Sequence, residues 1–307
     1  LPIIFVAIPK KAQHEINAST LEVTSQEVID PTSDGIHLKL ESVIKSDSSY
    51  HPTVDSFRAG LSLEGQGPFL YIDIPQAKSE AETHISVDQQ VKFTSLDAFS
   101  GYTKAVMDAE TFNVYLDGKT KVHLKGLPAM DVNYNKVVSM KGMPNCVKPT
   151  PKHNTNIRTG LNRLKGLNIT SIKLLSGSSE LLPDGSNMVG TVYIPNHSVM
   201  TLDLGNVTMN LAIDNTPIGY ALLPDLMLKP GNNTVPMQAH IQPLVVFDLV
   251  SRKYKNAIVP LDITGNSSVS NRQHLTYYEE AIKSNTVRVD LNVGPALSAI
   301  GINVTSA

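Results

Sequence analysis

At 307 residues the chain exceeds one ordinary domain and is long enough to bury two cores without disulfide staples. Its formal net charge is −2, only 18% of residues are charged and no basic run is longer than a pair, which excludes the footprint of a nucleic-acid binder or a polybasic membrane patch. The 41% apolar content excludes a disordered chain, and the wealth of Val, Ile, Thr, Ser, Asn, Gly and Pro points to strands and turns.

The chain opens with "LPIIFVAI", too short to cross a membrane, which takes about 20 apolar residues, and without a preceding basic region. The β-branched Ile3, Ile4, Val6 and Ile8 around Phe5 predict a strand over residues 1–8, apolar on both faces and buried in its own domain or in a neighbouring molecule. "DPTSDG" reads as a turn. "GIHLKLES" alternates Ile36, Leu38 and Leu40 with His37, Lys39 and Glu41, a strand with one face on a core. "SLEGQGPF" reads as a hairpin connection. "TSLDAFSGYTKAVMDAETF" then places Leu96, Phe99, Val106 and Met107 at helical spacing, with Thr94 or Ser95 as N-cap. "MDVNYNKV" returns to period two through Met130, Val132 and Tyr134.

Prolines cluster in "MPNCVKPTPKHNTN", a stiff connector over 144–156. Beyond it, "VTMNLAID" and "TVRVDLNV" alternate again, the latter through Val287, Val289, Leu291 and Val293. A second helix is predicted in "QPLVVFDLVSRKYKNAIV", with Pro243 in its first turn and an apolar stripe of Leu244, Phe247, Val250 and Tyr254. Each helix runs directly into a strand, and Phe99 to Gly118 and Phe247 to Gly265 are 19 and 18 residues apart. The expected fold is therefore mainly β: two tandem antiparallel β-sandwich modules, residues 1–143 and 157–307, each with one crossing α-helix, related by a divergent duplication.

Cys146 is the only cysteine, so the chain can form no internal disulfide. Seven Asn-x-Ser/Thr sequons, at Asn17, Asn168, Asn196, Asn206, Asn232, Asn266 and Asn303, point to the secretory pathway and to N-linked glycans. The expected location is secreted or cell-surface, or alternatively the lumenal side of a vacuolar membrane.

Two long stretches carry a family resemblance: "AQHEINASTLEVTSQEVIDPTSDGIHLKLE" and "LDLGNVTMNLAIDNTPIGYALLPDLMLKPGNNTVPMQAHI". With the phrases Ile29 to Thr32, Leu204 to Thr208 and Leu226 to Asn232, they resemble a family of membrane-anchored ectodomains of filamentous fungi that carries a domain of unknown function. The modules in turn resemble the late-embryogenesis-abundant, water-stress β-sandwich. The resemblance implies this fold and no established activity. It also implies that "LPIIFVAI" matches the exit of a membrane helix whose upstream part has been processed away or trimmed.

Chemistry is sparsely signalled. Nine histidines show no i, i+2 or i, i+4 pair, so metal-ligand spacing is absent. There is no Gly-x-Ser-x-Gly elbow, Cys146 and His153 lie in the connector, Glu279-Glu280 reads as a solvated face, and the zero Trp count removes the usual sugar-stacking platforms. No catalytic residue, metal or cofactor is expected. The leading reading is a non-enzymatic structural or adhesive glycoprotein whose partner is itself, assembling through Ile3, Ile4, Phe5, Val6 and Ile8 by strand addition. The alternative is an ectodomain that binds a lipid or other hydrophobic ligand, which requires a continuous apolar cavity.

Overall fold

The computed structural model describes residues 2–140 and 161–301 except 176, 178 and 179, with side chains of the first stretch from Ile8 to Val138. The connector at 144–156, with Cys146 and His153, lies outside the described residues, as does Asn303. The first half contains helix α1 (Pro2–Ala18), strands β1 (Thr20–Ile29), β2 (Gly35–Lys45), β3 (Phe57–Ser62), β4 (Leu70–Ile74) and β5 (Glu82–Lys92), helix α2 (Leu96–Asp108), and strands β6 (Val114–His123) and β7 (Met130–Met140). The second contains strands β8 (Asn168–Leu174), β9 (Met188–Asn196), β10 (Asn206–Ile213), β11 (Thr216–Leu223) and β12 (Gly231–Ile241), helix α3 (Pro243–Arg252), strand β13 (Ile258–Ser270), helix α4 (Thr276–Lys283), strand β14 (Thr286–Asn292) and helix α5 (Gly294–Ala299).

The chain is mainly β, and its ladders recur in the same order in both halves. In the first, β1 pairs β2, β2 pairs β5, β3 pairs β4 and β6, and β6 pairs β7, all antiparallel. In the second, β8 pairs β9, β9 pairs β12, β10 pairs β11 and β13, and β13 pairs β14, again antiparallel. Helices α2 and α3 occupy the same place in the order, between the fifth and sixth strands of each half. The two glycines at matched distances after these helices are both points of close approach. A Cβ on Gly118 would lie 2.7 Å from the Phe57 ring, and one on Gly265 would lie 2.5 Å from Ile282.

The halves differ at one seam. In the second, β11 and β12 form a ladder from Gly219–Ile241 to Leu222–Gln238, joining the two sheets. In the first, β4 meets the end of β5 only at the bridge Leu70–Phe93, and the chain then leaves through Pro75 to pair Ala77–Lys78 with Thr53–Val54. The lower half of β5 is therefore left without a partner on that side.

The alternating strands lie as the pattern predicts: Ile36 and Leu38, Met130, Val132 and Tyr134, Val207, Met209, Leu211 and Ile213, and Val289 and Leu291 all point inward. Helix α2 is capped by the Ser95 hydroxyl, which accepts from Ala98 N at 3.2 Å, and buries Phe99, Tyr102, Val106 and Met107. Helix α3 starts at Pro243 as expected but is rotated from the predicted stripe. It buries Val246 and Val250, while Leu244 and Phe247 are 83% and 44% exposed. The β11–β12 ladder already closes the sheet edge beneath it, so a narrow contact suffices.

Two expectations are corrected. Residues 2–18 form helix α1, not a strand over 1–8, and this helix folds back onto β7 of its own half. β-Branched content favours a strand locally, but Ile8, Ala12 and Ile16 recur every four residues and cover Val122, Met130 and Val132, so tertiary packing wins. Second, not all pairs are antiparallel: β1 runs parallel to the short strand Met200–Asp203 and, for two residues, to the end of β7. Strand β1 is an edge, and the returning second half covers it. One apolar core runs through both halves. Helix α4 packs on α2, with Tyr277 edge-on to Phe93 and Phe99 at 5.1 Å each, and the Thr103 hydroxyl donating to the Tyr277 carbonyl at 2.7 Å.

Candidate apolar ligand cavity

Strand β7 points Met130, Val132, Tyr134, Lys136 and Val138 inward, and the lysine breaks an otherwise apolar row. Its ammonium donates to the carbonyls of Ile16, Asn17 and Ser19, the Asn17 contact at 3.3 Å. These lie at the C-terminal end of α1, where carbonyls lack intrahelical partners and the helix dipole is negative. Burial draws the Lys136 amine below the ordinary lysine range. One turn earlier, Gln13 pairs with the outer edge of β7 in strand fashion: its amide donates to Asn133 O at 2.7 Å, and its carbonyl accepts from Asn133 N at 2.8 Å. Helix α1 is thus fixed along its C-terminal half to a strand edge.

Beneath it, where β4 and β5 splay, the first sandwich encloses an apolar cavity of about 210 Å3. Ile8, Ala12 and Ile16 form the roof, and Ile44, Val54 and Ile74 the walls. Phe57, Ile85 and Tyr134 form the floor, with Phe57 and Tyr134 meeting at 5.2 Å between ring centroids. Desolvation pushes the Tyr134 hydroxyl up to about 12, so it stays neutral. The rim is polar: Lys11, Ser46, Ser48, Tyr50, Ser79 and Thr83 surround the mouth, and the Lys11 ammonium lies 4.5 Å over the Tyr50 ring. A deeper chamber of about 50 Å3, reaching Leu38, Phe99 and Leu116, shares Ile44, Ile74, Ile85 and Tyr134 with the outer one. The two are adjacent apolar spaces separated by a partition of side chains.

Among the described residues the corresponding interior of the second half is more nearly filled. Its interior retains about 40 Å3, stopped by Val246 of α3 and by Ala296 and Leu297 of α5. At its other end, Leu204, Leu226 and Leu228 are buried, Ser268 at the end of β13 donates to Leu204 O at 2.7 Å, and α4 follows.

The predicted sequons separate. Asn17, Asn168, Asn206, Asn232 and Asn266 are exposed. Asn196 is wholly buried: its amide donates to Met200 O at 2.7 Å, and its Oδ1 accepts from Ser198 N and Oγ at 2.9 and 2.6 Å. It is a turn-forming residue and has no room for a glycan. Of the predicted self-association residues, Ile8 faces the cavity of its own half, and Ile3, Ile4, Phe5 and Val6 belong to α1.

Glu279 is also corrected, being buried where a solvated face was expected. It accepts from His274 Nδ1 at 2.5 Å, Lys283 Nζ at 3.1 Å and Ser268 N at 3.3 Å. Burial opposes its charge, but these donors outweigh that and hold its pKa below the usual glutamate value. His37 sits between Asp88, on its Nε2, and Asp30, 3.7 Å from its Nδ1, and His123 sits against Asp55 at 2.8 Å. Among the described residues no three His, Cys, Asp or Glu side chains gather as metal ligands do, and no helix is long and apolar enough to cross a membrane.

The sequence does not place the cavity, because the β-branched composition of residues 1–8 conceals the helix that roofs it. Two signals were present: the Ile8–Ala12–Ile16 spacing, and Lys136 in an inward row, which demands a set of acceptors.

A family model described as a protein of unknown function (DUF3712) matches residues 67–211, from just before β4 to β10 and so across both halves. This agrees with the resemblance to a family carrying a domain of unknown function. No curated protein matches the chain. Among solved structures, the periplasmic chaperone SfaE is 11% identical, with 71% of this chain and 86% of that chain covered and a TM-score of 0.20. A DUF4785 family protein from Legionella pneumophila is 13% identical, with 89% and 56% covered and a TM-score of 0.23. The CupB6 tip adhesin from Pseudomonas aeruginosa is 8% identical, with 81% and 94% covered and a TM-score of 0.20.

Proposed function

We propose that this chain is a non-enzymatic binding protein that holds the apolar chain of an amphiphile, such as a lipid, in its first sandwich. The observation that carries this reading is the apolar cavity under α1, with a polar rim at its mouth. An apolar cavity of about 150 Å3 takes up one benzene, so 210 Å3 accommodates about eight carbons. At about 0.8 kcal/mol per buried methylene, that chain gains roughly 6 kcal/mol before the cost of association. The head group stays at the rim, beside Lys11, Tyr50 and the serine hydroxyls. Five exposed sequons support a secreted, cell-surface or vacuolar-lumenal setting for such a protein.

The structural or adhesive reading rested on a donor strand at residues 1–8. Residues 2–8 are instead helical and fold onto their own half, which removes that donor strand. The test of the binding reading is extraction of the purified full chain with organic solvent, followed by mass spectrometry of what is released. Amphiphiles in near-stoichiometric amount, lost in Ala12→Trp, are the expected result. An empty protein that also fails to bind added fatty acid would overturn the proposal.

A further inference from the structure

The outer and inner chambers meet at four residues, and only one of them, Tyr134, is aromatic. Its position is over-determined. Tyr134 lies opposite Gly118 in the β6–β7 ladder, and Gly118 in turn lies opposite Ala59 in the β3–β6 ladder. With no Cβ at Gly118, the Phe57 ring settles over that backbone and meets the Tyr134 ring there, 5.2 Å between centroids and tilted by 50°. Phe57 belongs to the outer cavity's lining and not to the inner one's, so the pair stands at the partition. Beyond it lies largely apolar space whose polar groups are engaged with each other or with backbone: the Gln26 amide donates to Tyr102 Oη at 3.0 Å and the Ser42 hydroxyl to Ile85 O at 3.3 Å.

Resting on the binding reading above, we propose that Tyr134, braced by Phe57 across Gly118, determines the length of chain the protein accepts. With Tyr134 in place the chain ends at the floor of the outer chamber. Without its ring the inner chamber, about 50 Å3, becomes accessible and takes about two more carbons.

The experiment measures the affinity of the full chain for straight-chain fatty acids by displacement of a fluorescent fatty acid. The series runs from about six to about sixteen carbons, and each buried methylene tightens binding about fourfold. For the wild type, affinity rises with length and levels off at about eight carbons. Tyr134→Leu continues to rise for about two carbons more, reaching about fifteenfold tighter binding relative to its own eight-carbon value. Tyr134→Phe keeps the ring and levels off with the wild type, which separates the ring from the hydroxyl. Thermal melts of both variants establish that they fold, and Tyr134→Met serves in place of a Tyr134→Leu that does not. A plateau at the same length in all variants would overturn the assignment of chain length to Tyr134 while leaving binding intact. Absence of binding by the wild type at every length would overturn the binding reading and this inference with it.

Discussion

Removing the Lys136 ammonium tests whether α1 is a roof held at one end. Lys136→Met keeps most of the stem and deletes the donor to the carbonyls of Ile16, Asn17 and Ser19. Hydrogen bonds from charged donors are worth about 1.5–3 kcal/mol each when cut in a buried site. A cation at a partly buried helix C-terminus contributes up to about 2 kcal/mol. These figures overlap rather than add, and they are offset because the wild-type amine is only partly desolvated and its burial already lowers its pKa. The net expected loss is about 1–2 kcal/mol in the docking of α1, a factor of roughly 5–30 in its open population.

Because α1 contacts β7 and the cavity rim, that loss is local. Hydrogen exchange read by mass spectrometry should show peptides within residues 2–18 exchanging about 5–30 times faster, while those from β10 and β13 keep wild-type rates. Bound amphiphile should restore part of the protection, since it contacts the underside of the same helix. Unchanged exchange in α1 would refute the latch. An equal rise in every peptide would refute its locality.

Other consequences are more direct. Asn196→Ala should lower stability by about 1–3 kcal/mol in denaturant titration, because it strands Met200 O and the Ser198 hydrogen-bonding groups in a buried turn. In protein made in a secretory host, enzymatic deglycosylation should lower the mass, and Gln substitutions at Asn17, Asn168, Asn206, Asn232 and Asn266 should remove the shift stepwise. Peptide mapping should find Asn196 unmodified. Glu279 has a folded-state pKa below its ordinary value, so its contribution is complete above about pH 4.5 and is lost as pH falls through the lower folded value. Glu279→Gln should therefore flatten the acid limb of the thermal-stability profile. Asp203 is the opposite case: burial foremost, with the charges of Asp30 and Asp225 adding, raises its pKa. Its stabilisation is present below the ordinary aspartate value and lost as pH rises through the raised one, so Asp203→Asn should raise the melting temperature near neutral pH.

Much of this architecture is legible in the sequence because a half-buried strand writes its burial in alternate residues. The β2, β7, β10 and β14 patterns and the Ser95-capped helix each follow from local rules. What was not legible depends on contacts distant in sequence. Ile3 to Ile8 have strand-like composition, and only the surface offered by Val122, Met130 and Val132 makes a helix the better solution. Glu279 looks solvated until Ser268, His274 and Lys283 are brought around it. Helix α3 carries a stripe whose orientation depends on how much sheet edge remains to be covered. For the cavity no motif exists, since an empty apolar volume is a shortage of side chains that no single residue marks.

The comparison between halves explains why that shortage falls where it does. Both carry the same antiparallel ladders, so neither cavity nor filled core is dictated by the strand plan. In the second half the β11–β12 ladder joins the sheets, α3 and α5 stop one end, and the buried Leu204, Leu226 and Leu228 with α4 occupy the other, where it meets the first half. Among the described residues the first half lacks the seam ladder below Leu70–Phe93, and α1 roofs its corresponding end. One half is thus committed to packing against its neighbour, and the other keeps an end roofed by a helix held through Lys136 and Gln13. Stabilising that roof further, for instance by filling the space under Ala12, should strengthen the fold and abolish binding together, the opposition expected of a protein whose cavity is its working part.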